Sequence, residues 1–247
     1  IEELKKIILE NKDEIAAIKM EVSRNEGPND GYLKKVRKLA NDNNIILIFD
    51  ECTSGFRETF GGLHKKYGVD PDIAIFGKAL GNGYAISACI GKKQFMEFAQ
   101  QTFISSTFWT ERIGPTAALK TLEIMEREKS WETISELGIY IKQKWSELAV
   151  KNGLDISISG IPAISSFMFK SSKNLHYKTF MTQEMLKKGF LATNSVYVCT
   201  KHTEELIDKY IKALDPIFAT IKKCEENLDI NTLLEGPVCH NGFKRLN

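Results

Sequence analysis

Ile45-Ile46-Leu47-Ile48-Phe49-Asp50-Glu51 is an unbroken apolar run closed by two carboxylates. Its length suits a strand and falls far short of the roughly 20 apolar residues of a membrane span. Continuous rather than alternating hydrophobicity marks a strand buried on both faces, as in a parallel sheet. The shape recurs at Asp72-Ile73-Ala74-Ile75-Phe76, which leads into Gly77-Lys78 and the loop Gly81-Asn82-Gly83. Between and around these runs, Leu4, Ile7 and Ile8 predict a helix over 2–10, and Leu33, Val36 and Leu39 a helix over 31–41. Strands are predicted over 15–22 and 87–90. Helices and strands alternating over short links predict an α/β fold, in which ligands sit beyond the carboxyl ends of the strands. Asp50 and Lys78 both fall there.

Further along, helices are predicted over 115–127, 131–151, 177–188 and 203–226, and strands over 156–158, 164–169 and 195–199. Ile134, Leu137, Ile141, Trp145 and Leu148 mark the inner face of the second helix. This second group reads as a smaller α+β unit, which places the domain boundary between 1–128 and 129–247.

The chain has 247 residues, 43% hydrophobic and 27% charged, enough for a sizeable core. With 34 Lys plus Arg against 32 Asp plus Glu, the net charge of +2 gives no case for a nucleic-acid partner. No apolar stretch is long enough for a membrane span, and the start of the chain lacks the basic-then-apolar pattern of a secretion signal. The cytoplasm is the expected compartment. Cys52, Cys89, Cys199, Cys224 and Cys239 are scattered without a CxxC pair, so free, buried thiols are expected.

Several chemistries are disfavoured by spacing. Gly77-Lys78 lacks the upstream glycine of a P-loop, and Gly81-Asn82-Gly83 lacks the third glycine of a dinucleotide loop. His64, His176, His202 and His240 show no HxxxH or HExxH pairing, so no metal site is expected. No GxSxG elbow is present. Asp50 and Lys78 remain. A lysine among apolar residues is expected to have its ammonium form disfavoured, which frees the amine to attack a carbonyl. A carboxylate nearby can keep a pyridine nitrogen protonated, the arrangement that suits pyridoxal phosphate.

The stretch Leu47-Ile48-Phe49-Asp50-Glu51-Cys52-Thr53-Ser54-Gly55-Phe56-Arg57 resembles the apolar-strand, Asp-Glu, three-residue, Gly-Phe-Arg motif of the class III (ω-type) aminotransferases. These belong to the fold type I pyridoxal-phosphate enzymes and include glutamate-1-semialdehyde aminomutase. The likeness continues through Tyr67-Gly68-Val69-Asp70-Pro71-Asp72 and Gly77-Lys78, and extends from about Asp13 onward. It implies the C-terminal part of a large mixed-sheet domain followed by a small α+β domain. It also implies that Lys78 holds the cofactor as a Schiff base and moves protons between substrate and cofactor, while Asp50 pairs with the pyridine nitrogen. Cys52 then packs on a ring face. Thr107, with Ser106 beside it, binds the phosphate of the neighbouring subunit's cofactor, so a homodimer with its site at the interface is implied.

The resemblance makes the expected activity transamination between a small amino donor and an oxo or aldehyde acceptor. An intramolecular aminomutase and a truncated, non-catalytic relative are the alternatives. Three departures from the family pattern are visible. The N-terminal part that supplies a Gly-Ser/Thr phosphate loop and a ring-stacking aromatic is not in this sequence, so the chain is expected to be a C-terminal portion. Asn194, in Ala192-Thr193-Asn194-Ser195, stands where aminomutase relatives carry Glu. Phe108-Trp109-Thr110-Glu111-Arg112 replaces a loop of small residues, with Trp109 a candidate pocket wall. The segment 235–245, rich in Gly, Pro and basic or aromatic residues, is either a frayed end or an ordered extension that packs near the subunit interface or the site.

Overall fold

The computed structural model of the chain describes residues 1–23, 25–105 and 110–242. It divides into two units, Ile1–Thr133 and Ile134–Asn247. In the first, α1 (Glu2–Glu10) is followed by β1 (Ala17–Glu21), α2 (Tyr32–Asp42), β2 (Ile46–Asp50), the single turn α3 (His64–Tyr67) and β3 (Ile73–Phe76). Then come β4 (Ala88–Gly91), the single turn α4 (Lys93–Met96) and α5 (Ile113–Glu128). The sheet order is β1-β2-β3-β4, with the first three strands parallel and β4 antiparallel to β3. The apolar run at Ile45 thus becomes an inner strand, as continuous hydrophobicity requires. Leu47 and Phe49 are fully buried, as are Val36 and Ala40 of α2. Ala118 and Leu122 of α5 pack with Ala74 and Phe76 of β3.

Asp72 clamps the amino ends of the inner strands. One carboxylate oxygen accepts from Leu47 N and Arg37 Nη1, each at 2.8 Å, and the other from Lys92 Nζ at 2.7 Å. Burial opposes its charge, but these donors outweigh burial and hold the carboxyl below the usual range. The opposite, carboxyl ends are left for Asp50 and Lys78. The backbone N–H of Gly114, at the start of α5, donates to the Glu111 carboxylate at 3.0 Å, so this helix end is already matched by a negative charge.

The second unit takes up α6 (Ser130–Lys151) from its fifth residue onward, followed by β5 (Ile156–Ser159), β6 (Ile164–Phe169), α7 (Asn174–Lys187), β7 (Ser195–Tyr197) and α8 (Glu204–Glu226). The strands form an antiparallel sheet in the order β5-β6-β7. Ile134, Ile141, Trp145 and Leu148 of α6 enter one core with Phe167, Tyr177, Phe218 and Ile221, with Leu137 packed against it. Trp145 Nε1 donates to the Tyr210 hydroxyl at 3.0 Å inside this core. Thr203 caps α8 by accepting from Leu206 N at 3.2 Å. Beyond α8 the chain runs back along α7: Glu235 N donates to Gln183 Oε1 at 2.8 Å and Cys239 N to Thr179 Oγ1 at 2.9 Å. As far as Cys239 the tail is thus ordered against α7 and not frayed, and residues 243–247 lie outside the described residues.

All five cysteines are free, but only Cys224 is buried, and Cys89 and Cys199 are exposed. The expectation of buried thiols fails because Cys89 sits on β4, at the end of the sheet order, and Cys199 in the loop after β7. Among the described residues, no helix is long and apolar enough to cross a membrane, and no cluster of three or more His, Cys, Asp or Glu could hold a metal.

Candidate active site

Asp50 is the last residue of β2, paired with Glu21 of β1 on one side and Ile75 of β3 on the other. Its carboxylate is engaged at both oxygens. Lys19 Nζ, from β1, lies 2.9 Å from Oδ2, and Cys52 N donates to Oδ1 at 3.1 Å. The Lys19 hydrogen bond is the main cause that holds the Asp50 carboxyl below its usual range; half-burial works in the opposite direction and the Cys52 N–H assists. Asp50 is therefore an ionised acceptor at a strand end.

Lys78 follows β3 after the extended residue Gly77 and opens a 3-10 turn over Lys78–Leu80. Its φ of 45° is in the left-handed region, which non-glycine residues enter at a cost and which clusters at functional sites. Its Nζ donates to Thr53 Oγ1 at 2.6 Å. Thr53 is in turn anchored by Arg57, whose Nε donates to the Thr53 carbonyl at 2.8 Å. The loop leaving Asp50 thus reaches across to the lysine of the next strand. Cys52 completes the link: a Cβ built on Gly77 would lie 3.4 Å from its Sγ. Burial, then its hydrogen bond to Asp50, pushes the Cys52 thiol pKa up, so it is a neutral packing group.

One expectation is corrected. Lys78 is exposed, not enclosed by apolar neighbours. Phe76 and Leu80 are buried on either side of it, but the left-handed turn between them releases the lysine to the strand ends, where Thr53 rather than an apolar wall receives it.

Beneath the site, Glu51 is fully buried and accepts from Leu63 N at 3.0 Å, from His64 N at 2.9 Å, from His64 Nδ1 at 2.9 Å and from Ser54 Oγ. Burial disfavours its charge, but His64, Ser54 and the two backbone N–H groups outweigh it and lower its pKa. Gly62 is required here, because a Cβ would come within 2.3 Å of the His64 ring. This network closes the loop 51–64 and so fixes Asp50, Cys52 and Thr53 at its head.

The structure brings Asp50, Cys52 and Lys78 together. Ser106, Thr107 and Trp109 lie outside the described residues. Asn194 is in the second unit, where its Nδ2 donates to Phe167 O at 2.7 Å and its carbonyl accepts from Phe167 N at 2.9 Å. It ties the approach to β7 to β6. Three site residues escaped the sequence reading: Thr53 and Glu51, both inside the motif quoted for other members, and Lys19. For Lys19 the only signal is a charge set between Ile18 and Met20 in a predicted strand.

The donor set is an amine on one strand end and an ionised carboxylate on the next, with a neutral thiol between. It suits a ligand with a carbonyl carbon and a ring N–H, and pyridoxal phosphate has both.

Comparison with known proteins points the same way. The profile of the family Aminotransferase class-III matches residues 1–225. A protein named 3-aminobutyryl-CoA aminotransferase, from Cloacimonas acidaminovorans (strain Evry), is 36% identical over 214 residues, covering 82% of this chain and 52% of that protein. A glutamate-1-semialdehyde 2,1-aminomutase of Methanosphaera stadtmanae is 32% identical over 215 residues, covering 80% of this chain and 51% of its own length. The chain spans about half the length of the curated relatives it matches. The FumI protein of Sphingopyxis sp. MTA144, solved in its PLP internal aldimine form, superimposes with a TM-score of 0.84 at 20% identity, over 94% of this chain and 58% of that one.

Proposed function

Since the chain belongs to the class-III aminotransferase family and has the fold type I architecture, we propose that it acts as a pyridoxal-phosphate-dependent aminotransferase. It would move an amino group between a small amino donor and an oxo or aldehyde acceptor. The observation that carries this reading is the Lys78 to Thr53 hydrogen bond, which joins the amine of one strand end to the loop of the Asp50 carboxylate.

When bound, pyridoxal phosphate supplies an aldehyde carbon that condenses with amines and a ring that accepts the electron pair released at the substrate Cα. Lys78 Nζ would be the amine that holds the cofactor carbon. As a free amine it would take the proton from the substrate Cα and return it at the cofactor C4′. Thr53 Oγ1 orients that amine. Asp50 would keep the proton on the pyridine nitrogen, for which its carboxylate must be ionised, the form favoured by its neighbours. Cys52 would pack against the ring.

Residues 1–128 would then be the C-terminal part of the large cofactor domain and 129–247 the small C-terminal domain. Thr107 and Ser106 are assigned to the phosphate of the neighbouring subunit's cofactor, in a homodimer. Five free thiols favour a reducing compartment, the cytoplasm. The likeness to an enzyme named for 3-aminobutyryl-CoA makes a 3-aminoacyl thioester the first donor to assay. Aminomutase relatives support a second reading, in which glutamate 1-semialdehyde is isomerised without an external acceptor.

The test is to incubate the protein with pyridoxal phosphate, reduce with borohydride and map the adduct by peptide mass. A phosphopyridoxyl group on Lys78, absent from Lys78→Ala, is the expected result. Failure to bind the cofactor would favour a non-catalytic relative. Acceptor dependence of turnover then separates the two enzyme readings.

A further inference from the structure

Asp50 is held by a second lysine that the reaction above does not use. In the parallel register, Lys19 pairs with Ile48 and Glu21 with Asp50. With side chains alternating along a strand, Lys19 and Glu21 share the face of Asp50. The long side chain of Lys19 reaches two register pairs forward, to the next pair on its own face, and places its ammonium 2.9 Å from Asp50 Oδ2. Cys52 N occupies Oδ1 at 3.1 Å. Both oxygens thus have a protein donor before any ring arrives, and a pyridine N–H must share one of them.

We infer that Lys19 is a positioning residue for the cofactor ring: its ammonium competes with the ring N–H for the Asp50 carboxylate and so weakens the hold on a protonated pyridine nitrogen. The inference rests on the cofactor reading above. Each carboxylate oxygen has two acceptor directions, so Lys19 does not block the ring. It draws charge away from the acceptor, as any cation sharing a carboxylate does. A pyridine N–H meeting a carboxylate without this partner gains the stronger, fully charge-assisted hydrogen bond. The lysine is 60% exposed, so the effect is moderate and weakens with added salt.

The probe is a pair of ligands, pyridoxal phosphate and its carbocyclic analogue with C–H in place of the ring nitrogen. Dissociation constants for both are measured on the wild-type protein, Lys19→Met and Lys19→Arg. Lys19→Met is expected to bind pyridoxal phosphate about threefold more tightly and to leave the analogue unchanged, because the analogue offers Asp50 no proton. Lys19→Arg, which keeps the charge, should match the wild type with both. Unchanged pyridoxal-phosphate affinity in Lys19→Met overturns the inference. An equal shift for both ligands does so too, since it would mark a packing effect. If the wild-type protein takes up neither ligand, the cofactor reading itself fails, and the inference falls with it.

Discussion

Thr53 Oγ1 lies 2.6 Å from Lys78 Nζ, across 25 positions of sequence and the boundary between two parallel strands. The hydroxyl is anchored from behind by Arg57 through the Thr53 carbonyl. A side chain as long as lysine gains little from its own backbone in choosing one direction, so this contact supplies the direction.

Thr53→Val removes the acceptor while keeping the branched shape. Turnover should fall roughly tenfold, as expected for one lost hydrogen bond to a charged group. Thr53→Ser should restore it. Steady-state kinetics with the cofactor saturating would check both; a rise in KM alone, with turnover intact, would mean that Thr53 shapes the pocket and does not aim the amine.

Glu51 makes a pH-dependent contribution to stability. Its folded pKa is lowered from the ordinary 4.5. The network therefore stabilises the fold fully at pH above the unfolded value and loses that contribution as pH falls through the folded value. Glu51→Gln should cost about 2 kcal/mol near neutrality, by loss of charge-assisted bonds to His64, Ser54 and two backbone donors. Urea midpoints measured from about pH 7 down to pH 3 should converge for the two proteins in acid. Parallel curves would contradict the sign of the shift.

In the second unit, Trp145 Nε1 and the Tyr210 hydroxyl satisfy each other in an apolar core, and burial pushes the Tyr210 hydroxyl pKa well up. Trp145→Phe should cost about 3 kcal/mol, from lost volume and a stranded hydroxyl. Tyr210→Phe should cost less. In the double variant neither polar group remains, so the combined loss should be smaller than the sum by about 1 kcal/mol, as calorimetry or denaturant titration would read it.

Much of this architecture was legible because apolar runs and turn residues act locally. The continuous run at 45–49 and the shorter one ending at Phe76 name their own strands, and Asp50 and Lys78 follow as strand-end residues. The two single turns, His64–Tyr67 and Lys93–Met96, are too short for any periodicity to register. Lys78 was misjudged because its flanking residues do face the core; one left-handed φ between them reverses its direction, and lysine gives no sign of that. Lys19 belongs to the site only through strand register, which no single segment carries. Glu51 is hidden by its neighbour: of two adjacent carboxylates, the alternation of a strand sends one outward and the other into the fold.

The closed loop 51–64 has a consequence for how the first unit comes apart. It contains almost no regular structure, yet its release requires a fully buried carboxylate to abandon every donor at once. The amide hydrogens of Leu63 and His64 should therefore exchange with solvent as slowly as those of the inner strands, not at the pace of a surface segment. A ligand seated on Asp50 would consequently register as a raised melting temperature for the sheet as a whole.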